Sequence, residues 1–280
     1  MYKILKKSVL APNEIRMDVL APRIAKKALP GQFILLRICQ EGERIPLTIA
    51  DYDAQSGTVS IIFQTVGLTT KLLAQMQEGD EILDFVGPLG KPSHFEGKRV
   101  LCIGGGVGTA VVYPQVKWLH QNGFAVDAIQ GARSKEYVIL EKELTENTDH
   151  LYITTDDGSY VRKGFVTDVL KELLERGEHY DMVVAIGPPV MMRAVCNMTK
   201  PYGIKTMVSL NPIMIDGTGM CGGCRVIVGG QIKYACVDGP DFDGHEVDFD
   251  SMIARMKTFK DQEIQKEKEH FCRGGLYGKQ

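Results

Sequence analysis

Residues 216–236 constrain this chain more than any other stretch. They read Asp216-Gly217-Thr218-Gly219-Met220-Cys221-Gly222-Gly223-Cys224, then eleven residues, then Cys236. Three of the chain's seven cysteines fall in this window. Two thiolates from one tight loop and a third from a returning segment can surround a metal centre, as iron–sulfur and zinc sites both require. Glycines 217, 219, 222 and 223 favour iron–sulfur chemistry, because a loop wrapped around a cluster needs positive φ and backbone N–H groups turned toward sulfur. Zinc usually takes two close pairs, and no second Cys-x2-Cys or His pair lies nearby. The reading is a [2Fe–2S] centre, with a structural zinc knuckle or ordinary thiols as the alternatives.

The fourth ligand is a separate question. Plant-type clusters follow Cys-x4-Cys-x2-Cys…Cys, and Asp216 stands at the first position in unbroken register. Asp216 is read as an oxygen ligand to iron beside Cys221, Cys224 and Cys236. The alternative makes Asp216 a turn residue and takes the fourth ligand from elsewhere, Cys272 being the candidate.

With 280 residues the chain has room for two or three domains. Its 33 basic and 35 acidic residues leave a net charge of −2, which argues against a nucleic-acid or strongly electrostatic membrane partner. No apolar run reaches the roughly 18 residues of a transmembrane helix, and Met1-Tyr2-Lys3-Ile4 does not read as a signal peptide. An odd number of cysteines, four of them scattered singly, is not a disulfide framework. A reducing cytoplasm is the expected setting.

Residues 1–97 are expected to form an antiparallel β-barrel. Short runs at 15–20, 32–38, 59–66 and 81–86 are separated by turn signals such as Pro30-Gly31 and Ser56-Gly57. Residues 68–76 read as the only helix there. Arg44-Ile45-Pro46-Leu47-Thr48 is unusual for a barrel strand, since its proline cannot donate to a central ladder. Val66, Gly67, Thr69 and Thr70 end a strand at a helix start, where free N–H groups can hold phosphate oxygens. An edge strand and a simple N-cap are the plainer readings of these two segments.

At Arg99 the pattern changes to strands alternating with helices, which indicates an α/β doubly wound parallel sheet over residues 98–209. Strands are expected at 100–103, 125–130, 151–154, 182–186 and 206–210, and helices at 110–121, 136–144, 163–176 and 189–199. Gly104-Gly105-Gly106-Val107-Gly108-Thr109-Ala110 follows the first strand and opens a helix, the place where a dinucleotide pyrophosphate can approach the backbone. Gly187-Pro188-Pro189 ends the fourth strand at the same edge. Arg133 and Ser134, after the second strand, could hold a 2′-phosphate and so favour NADP, or could simply start a loop. Residues 210–248 form the cluster segment, and 249–280 a C-terminal helix and tail. In that tail Phe249, Met252, Ile253, Met256 and Phe259 recur at helical spacing. Residues 260–270 read as a solvated extension or docking arm.

These three modules in this order resemble the ferredoxin-NADP reductase superfamily, and within it the branch containing dihydroorotate dehydrogenase electron-transfer subunits. The resemblance covers about 1–248. It implies that Arg44, Pro46, Leu47 and Thr48 hold FAD, with Thr48 near the flavin's reactive nitrogen and Arg44 against FAD phosphate. Thr155-Asp156-Asp157-Gly158-Ser159 and Gly187-Pro188-Pro189-Val190-Met191-Met192 match the branch's nicotinamide-domain pattern, which assigns Asp156, Asp157 and Met191 to that site. Asp216 departs from the four-cysteine cluster of the dihydroorotate branch. Asp-x4-Cys-x2-Cys-x11-Cys is similar instead to the small subunits of NADH-dependent reduced ferredoxin:NADP⁺ oxidoreductases, also called sulfide dehydrogenase small subunits. This resemblance implies a heterodimer whose larger subunit carries another FAD and [4Fe–4S] clusters, with ferredoxin reached indirectly and electrons bifurcated at flavin. It also implies NAD(H) rather than NADP(H) as the nicotinamide.

Nicotinamide moves two electrons and an iron–sulfur cluster moves one, so a flavin between them completes a path. No residue is singled out as an acid–base catalyst. The rival readings are a dihydroorotate dehydrogenase electron-transfer subunit and a nucleotide sensor with a structural zinc knuckle.

Overall fold

The computed structural model describes residues 1–272, with side chains through 269. The first part of the chain builds β1 (Tyr2–Ala11), β2 (Glu14–Leu20), α1 (Pro22–Ala25), β3 (Phe33–Arg37), β4 (Ile45–Asp53), β5 (Thr58–Gln64), α2 (Leu68–Leu73), β6 (Glu81–Ile82) and β7 (Asp84–Leu89). The seven strands form one antiparallel sheet in the order β6-β1-β2-β5-β4-β3-β7. Its two edge strands are consecutive in the chain, separated by Leu83 alone, so the sheet curls nearly closed. Inward side chains alternate along the strands, among them Met17 and Val19, Val59 and Ile61, Ile34 and Leu36, and they share one core with Phe63 and Phe85. The expected barrel is present, with two corrections. The run at 81–86 is two strands at opposite ends of the sheet, and the one-turn helix α1 joins α2 as a second helix.

Pro46 sits in an interior strand without breaking it. β4 pairs β3 over Ile45–Thr48 and β5 over Ile49–Asp53, so the proline lies in the half of the strand that has a neighbour on one side only.

The second sheet follows: β8 (Arg99–Gly105), α3 (Gly108–Gln121), β9 (Ala125–Ala132), α4 (Glu141–Thr145), β10 (His150–Thr155), α5 (Val166–Glu175), β11 (Met182–Ile186), α6 (Pro189–Thr199) and β12 (Lys205–Ser209). The order β10-β9-β8-β11-β12 is all parallel and reverses direction between β8 and β11. β8 reads as an unbroken apolar run because both of its faces are covered. Val100 and Cys102 face the α3 side, while Leu101 and Ile103 face α5 and α6. α3 also packs on the barrel: Ala11, Ala50 and Ile62 join its core, and Lys117 Nζ reaches Asp51 Oδ1 at 2.7 Å. The helix expected at 136–144 is interrupted. A single tight turn at Lys135–Tyr137 precedes Leu140, which adopts φ 55°, and only then does α4 begin.

The rest comprises β13 (Arg225–Val228), β14 (Gln231–Tyr234), β15 (Asp241–Asp243), α7 (Phe249–Met256) and α8 (Lys260–Cys272). β13 and β14 form a hairpin, and β15 adds antiparallel to β12 as a sixth strand of the nucleotide sheet. Asp248 caps α7 by accepting the Ser251 amide at 3.0 Å. Of the apolar stripe expected there, Phe249 and Met252 are buried against the sheet's helices, whereas Met256 and Phe259 are exposed. α8 is largely exposed, as its charge predicts, and an ion pair joins its Glu267 to Lys71 of α2. The side chain of Cys272, the alternative fourth ligand, and residues 273–280 lie outside the described residues. No described helix is long and apolar enough to cross a membrane.

Candidate cofactor and cluster site

The two barrel segments singled out in the sequence lie together. Leu35 pairs Pro46, Ile34 pairs Leu47 and Phe33 pairs Thr48 along the β3–β4 ladder. Thr69 at the start of α2 reaches Glu43, next to Arg44, at 3.4 Å. Arg44 is only loosely held, with its Nη2 4.0 Å from Asp84 Oδ2, whereas Arg37 Nε binds that carboxylate at 2.7 Å. The guanidinium of Arg44 therefore remains available to an anion. Thr70 behaves differently from expectation: its hydroxyl accepts the Val66 and Gly67 amides at 3.1 Å each and so caps its own turn. Val66 is exposed, and a Cβ on Gly67 would meet open space.

On the nucleotide sheet, the glycine loop lies at the carboxyl edge where strand order reverses, the usual ligand crevice of such sheets. Its glycines divide by role. A Cβ on Gly104 would stand 2.9 Å from the Thr109 Cα, one on Gly105 2.4 Å from Met191 Sδ, and one on Gly108 2.4 Å from the Ile186 carbonyl. One on Gly187 would stand 2.8 Å from Met191 Cε, so these four glycines and Met191 lock the two loops together. Gly106 is different. It has φ +56° and nothing within 4 Å of a would-be Cβ, which leaves its Cα facing open space. Thr109 and Ala110 are buried in the first turn of α3, and Pro188 and Pro189 open α6.

Arg133, Asp156 and Asp157 meet at the ends of β9 and β10. The Asp156 amide donates to the Ala132 carbonyl at 3.0 Å and the Asp157 amide to the Arg133 carbonyl at 3.4 Å. Asp157 Oδ1 accepts the Ser159 amide at 2.9 Å, and hydrogen bonds from Ser159 hold its carboxyl below the usual range. The Arg133 guanidinium is exposed and lies 5.4 Å from the Tyr137 ring centre.

The cysteine segment is seated on the barrel. Cys224 and Cys236 are buried with Met214 and Ala235 against Phe33 and Leu35 of β3, with Leu89, Tyr234 and Phe242 at the rim. Their sulfurs are 3.2 Å apart. Cys221 is exposed at the loop tip beside Met220, which is 88% exposed. Gly217, at φ +73°, lets the loop turn against the barrel, since a Cβ there would stand 2.6 Å from Leu35 Cδ1. Backbone amides point at two of the three sulfurs: Gly223 N–H at Cys221 Sγ (3.4 Å) and Cys236 N–H at Cys224 Sγ (3.5 Å). Burial, then the neighbouring Cys224 sulfur, pushes the Cys236 thiol up to about 12, with Asp216 acting in the same direction. The buried pair thus needs a positive centre to ionise. Amides aimed at sulfur and a close thiol pair with a carboxylate nearby fit an iron–sulfur cluster.

Asp216 itself clamps the loop. Its Oδ1 accepts the Thr218 amide at 2.9 Å and its Oδ2 the Cys221 amide at 3.0 Å. Hydrogen bonding, the Thr218 amide foremost, holds its carboxyl below the usual range. Among the described residues no three His, Cys, Asp or Glu side chains converge on one metal ion. A mononuclear zinc site gathers four ligands at one point, whereas a two-iron cluster spreads them over two. Phe33 and Leu35 were not singled out from the sequence. The available signal was the unbroken Phe33-Ile34-Leu35-Leu36 run, where a barrel strand covered on one face would alternate.

A nearly closed antiparallel barrel joined to a doubly wound nucleotide sheet, with a cysteine segment seated on both, is a ferredoxin-reductase-like electron-transfer architecture. The chain belongs to the family of dihydroorotate dehydrogenase B electron-transfer subunits. The iron–sulfur cluster binding domain of dihydroorotate dehydrogenase B matches residues 211–248. A Thermotoga maritima homolog of the dihydroorotate dehydrogenase B (NAD(+)) electron transfer subunit is 46% identical, over 93% of this chain and 92% of that protein. An uncharacterized Clostridium beijerinckii protein from the adh 3′ region is 54% identical, over 94% of this chain and 92% of that one. A solved chain of the NADH-dependent reduced ferredoxin–NADP oxidoreductase, studied for flavin-based electron bifurcation, superposes with a TM-score of 0.92. It is 44% identical and covers 97% of this chain and 98% of that one.

Proposed function

We propose that this chain is an FAD- and [2Fe–2S]-containing electron-transfer subunit. It takes reducing equivalents from NAD(H) and exchanges single electrons with a larger flavin and iron–sulfur subunit, in an NADH- and ferredoxin-linked NADP⁺ oxidoreductase. The observation that carries this reading is β3. Across its ladder it carries Pro46, Leu47 and Thr48, the proposed flavin segment, and its Phe33 and Leu35 wall the Cys224–Cys236 pair. One strand therefore puts the flavin segment beside the sulfur ligands.

Bound there, FAD supplies the exchange between two-electron nicotinamide and one-electron iron–sulfur chemistry. The chain's own residues do the positioning. Arg44 offers a cation to FAD phosphate, and Thr48 and Pro46 line the flavin segment. Gly106 lets the nicotinamide dinucleotide's pyrophosphate reach the backbone, while Met191, packed against Gly105 and Gly187, holds the two loops together. Asp216, Cys221, Cys224 and Cys236 hold the cluster. The Cys224 and Cys236 sulfurs, 3.2 Å apart, would hold the cluster from the buried side, and Asp216 and Cys221 from the exposed loop.

The division of the chain that fits this reading is a flavin barrel at 1–97, a nucleotide domain at 98–209, a cluster segment at 210–248 and a C-terminal helix and tail at 249–280. A dihydroorotate dehydrogenase subunit is the second reading, favoured by the family of the cluster segment; Asp216 in place of its first cysteine favours the ferredoxin-linked complex. Purification of the native complex tests both. One FAD, two irons and two sulfides per chain, with flavin bleached by NADH before the cluster, is expected. A co-purifying dihydroorotate-oxidising subunit would select the second reading, and a colourless chain would exclude both.

A further inference from the structure

Asp241 stands where three parts of the chain meet. It opens β15 opposite Ser209 of β12, and its Oδ2 accepts the Ser93 hydroxyl at 2.5 Å from the segment joining the two sheets. The turn before β3 closes the corner, because a Cβ on Gly31 would stand 2.1 Å from Ser93 Oγ and 2.9 Å from Asp241 Oδ2. Backbone bonds fasten the same place: Ser93 N–H to the Pro30 carbonyl at 2.9 Å, Leu210 N–H to that of Pro240 at 2.9 Å, and Lys91 N–H to that of Gly239 at 2.7 Å. The other carboxylate oxygen, Oδ1, is buried with no hydrogen-bond partner among the described residues. Charged and titratable groups on the packed elements are Lys91, His94, Glu96 and Lys98 of the connecting segment, Lys205 of β12 and Asp243 of β15. Lys205 pairs with Glu96 at 2.5 Å, and among the described residues none of these groups bonds to Asp241.

A buried carboxylate oxygen without a donor is more costly as an anion than as a neutral acid. Burial holds the Asp241 carboxyl up at about 6, against the lowering effect of the Ser93 hydroxyl. The corner also abuts the cluster segment from two sides. Phe242, the next residue, and Phe33, two residues beyond Gly31, both pack with Cys224 and Cys236. Negative charge added in that segment is weakly screened through the intervening apolar packing, so it favours a proton on Asp241.

We propose that Asp241 takes up a proton when the cluster segment takes up an electron, and holds the barrel turn, the connecting segment and the nucleotide sheet together in both states. An electron delivered by reduced flavin to a cluster held by these residues would lower its charge by one. One proton from solvent adds to the Asp241 carboxylate, and no other bond forms or breaks. This inference rests on the reading of Asp216, Cys221, Cys224 and Cys236 as an iron–sulfur site.

The test is a redox titration of the cluster in the purified complex from pH 5 to 9, followed by electron paramagnetic resonance, with iron and sulfide counted first. In the wild type the midpoint is expected to be flat below about pH 6 and to fall with rising pH above it. In Asp241→Asn it is expected to be flat throughout. Ser93→Ala, which removes a hydroxyl that lowers the Asp241 pKa, keeps the slope and moves its onset to higher pH. That variant also keeps the test open if Asp241→Asn does not assemble. A flat wild-type midpoint, a slope that survives Asp241→Asn, or an onset unmoved in Ser93→Ala overturns the proposal. A complex without iron or sulfide overturns the cluster reading along with it.

Discussion

Asp216 Oδ2 accepts the backbone N–H of Cys221 at 3.0 Å, so the carboxylate in the first ligand position also shapes the loop that presents the second. Clamp and ligand are separable by substitution. A carboxylate and a thiolate carry the same charge, but the carboxylate donates less electron density to iron and so favours the reduced cluster. Asp216→Cys should keep a cluster and lower its midpoint by less than the roughly 250 mV that separates Rieske from plant-type centres at the nearest. Asp216→Ala should release iron at least about tenfold faster, the equivalent of about 1.4 kcal/mol. Redox titration and iron release decide; an Ala variant with a stable cluster and an unchanged midpoint would leave Asp216 as a clamp alone.

Gly106 faces open space at φ +56° while its neighbouring glycines are used in packing. Gly106→Val puts a branched side chain where the pyrophosphate approaches and strains the backbone by about 1–3 kcal/mol. Flavin reduction by NADH, followed by stopped flow, should slow by on the order of 100-fold, with FAD content unchanged. An unaltered rate would place the nucleotide elsewhere.

Arg44 is held only loosely, 4.0 Å from Asp84, since Arg37 already holds that carboxylate at 2.7 Å. Arg44→Ala should weaken FAD binding by roughly 1.5–3 kcal/mol, the range for a charge-assisted contact. Equilibrium dialysis against FAD measures it. Arg37→Ala, which breaks a partly exposed ion pair across the β3–β7 ladder, should cost stability more than flavin affinity, and equal losses of flavin affinity in the two variants would remove Arg44 from the site.

Legibility in the sequence followed how many faces each element buries. β8 and β11 were readable because burial on two faces leaves continuous apolar runs. α4 was misplaced because Leu140 stops the helical path with φ 55°, a conformation its side chain does not advertise. β15 has no signature in the sequence because Asp241-Phe242-Asp243 has one apolar residue and gains its place from β12, distant in sequence. The glycine loops and the cysteine spacing were legible because each residue type has a specific backbone or ligand use. The wall of the sulfur pair was not, because Phe33 and Leu35 look like ordinary barrel residues until the cluster segment folds over them.

Glu14 carries the clearest pH signature in the barrel. It begins β2, is 1% exposed, and its Oε2 has no hydrogen-bond partner among the described residues. Burial pushes its carboxyl up to about 7 from an ordinary value of 4.5. A raised carboxyl means the folded chain holds the proton more tightly than the unfolded one. Glu14 therefore contributes stability as pH falls from about 7 toward 4.5, and above that window the buried anion opposes folding. Glu14→Gln, which keeps the shape and removes the charge, should stabilise the protein at pH 8 by roughly 1–2 kcal/mol, allowing for partial relaxation around the anion, and by little at pH 5. Urea unfolding at both pH values measures the difference. If the variant gains as much at pH 5 as at pH 8, the effect comes from packing, and the Glu14 carboxylate is not the buried charge inferred from its surroundings.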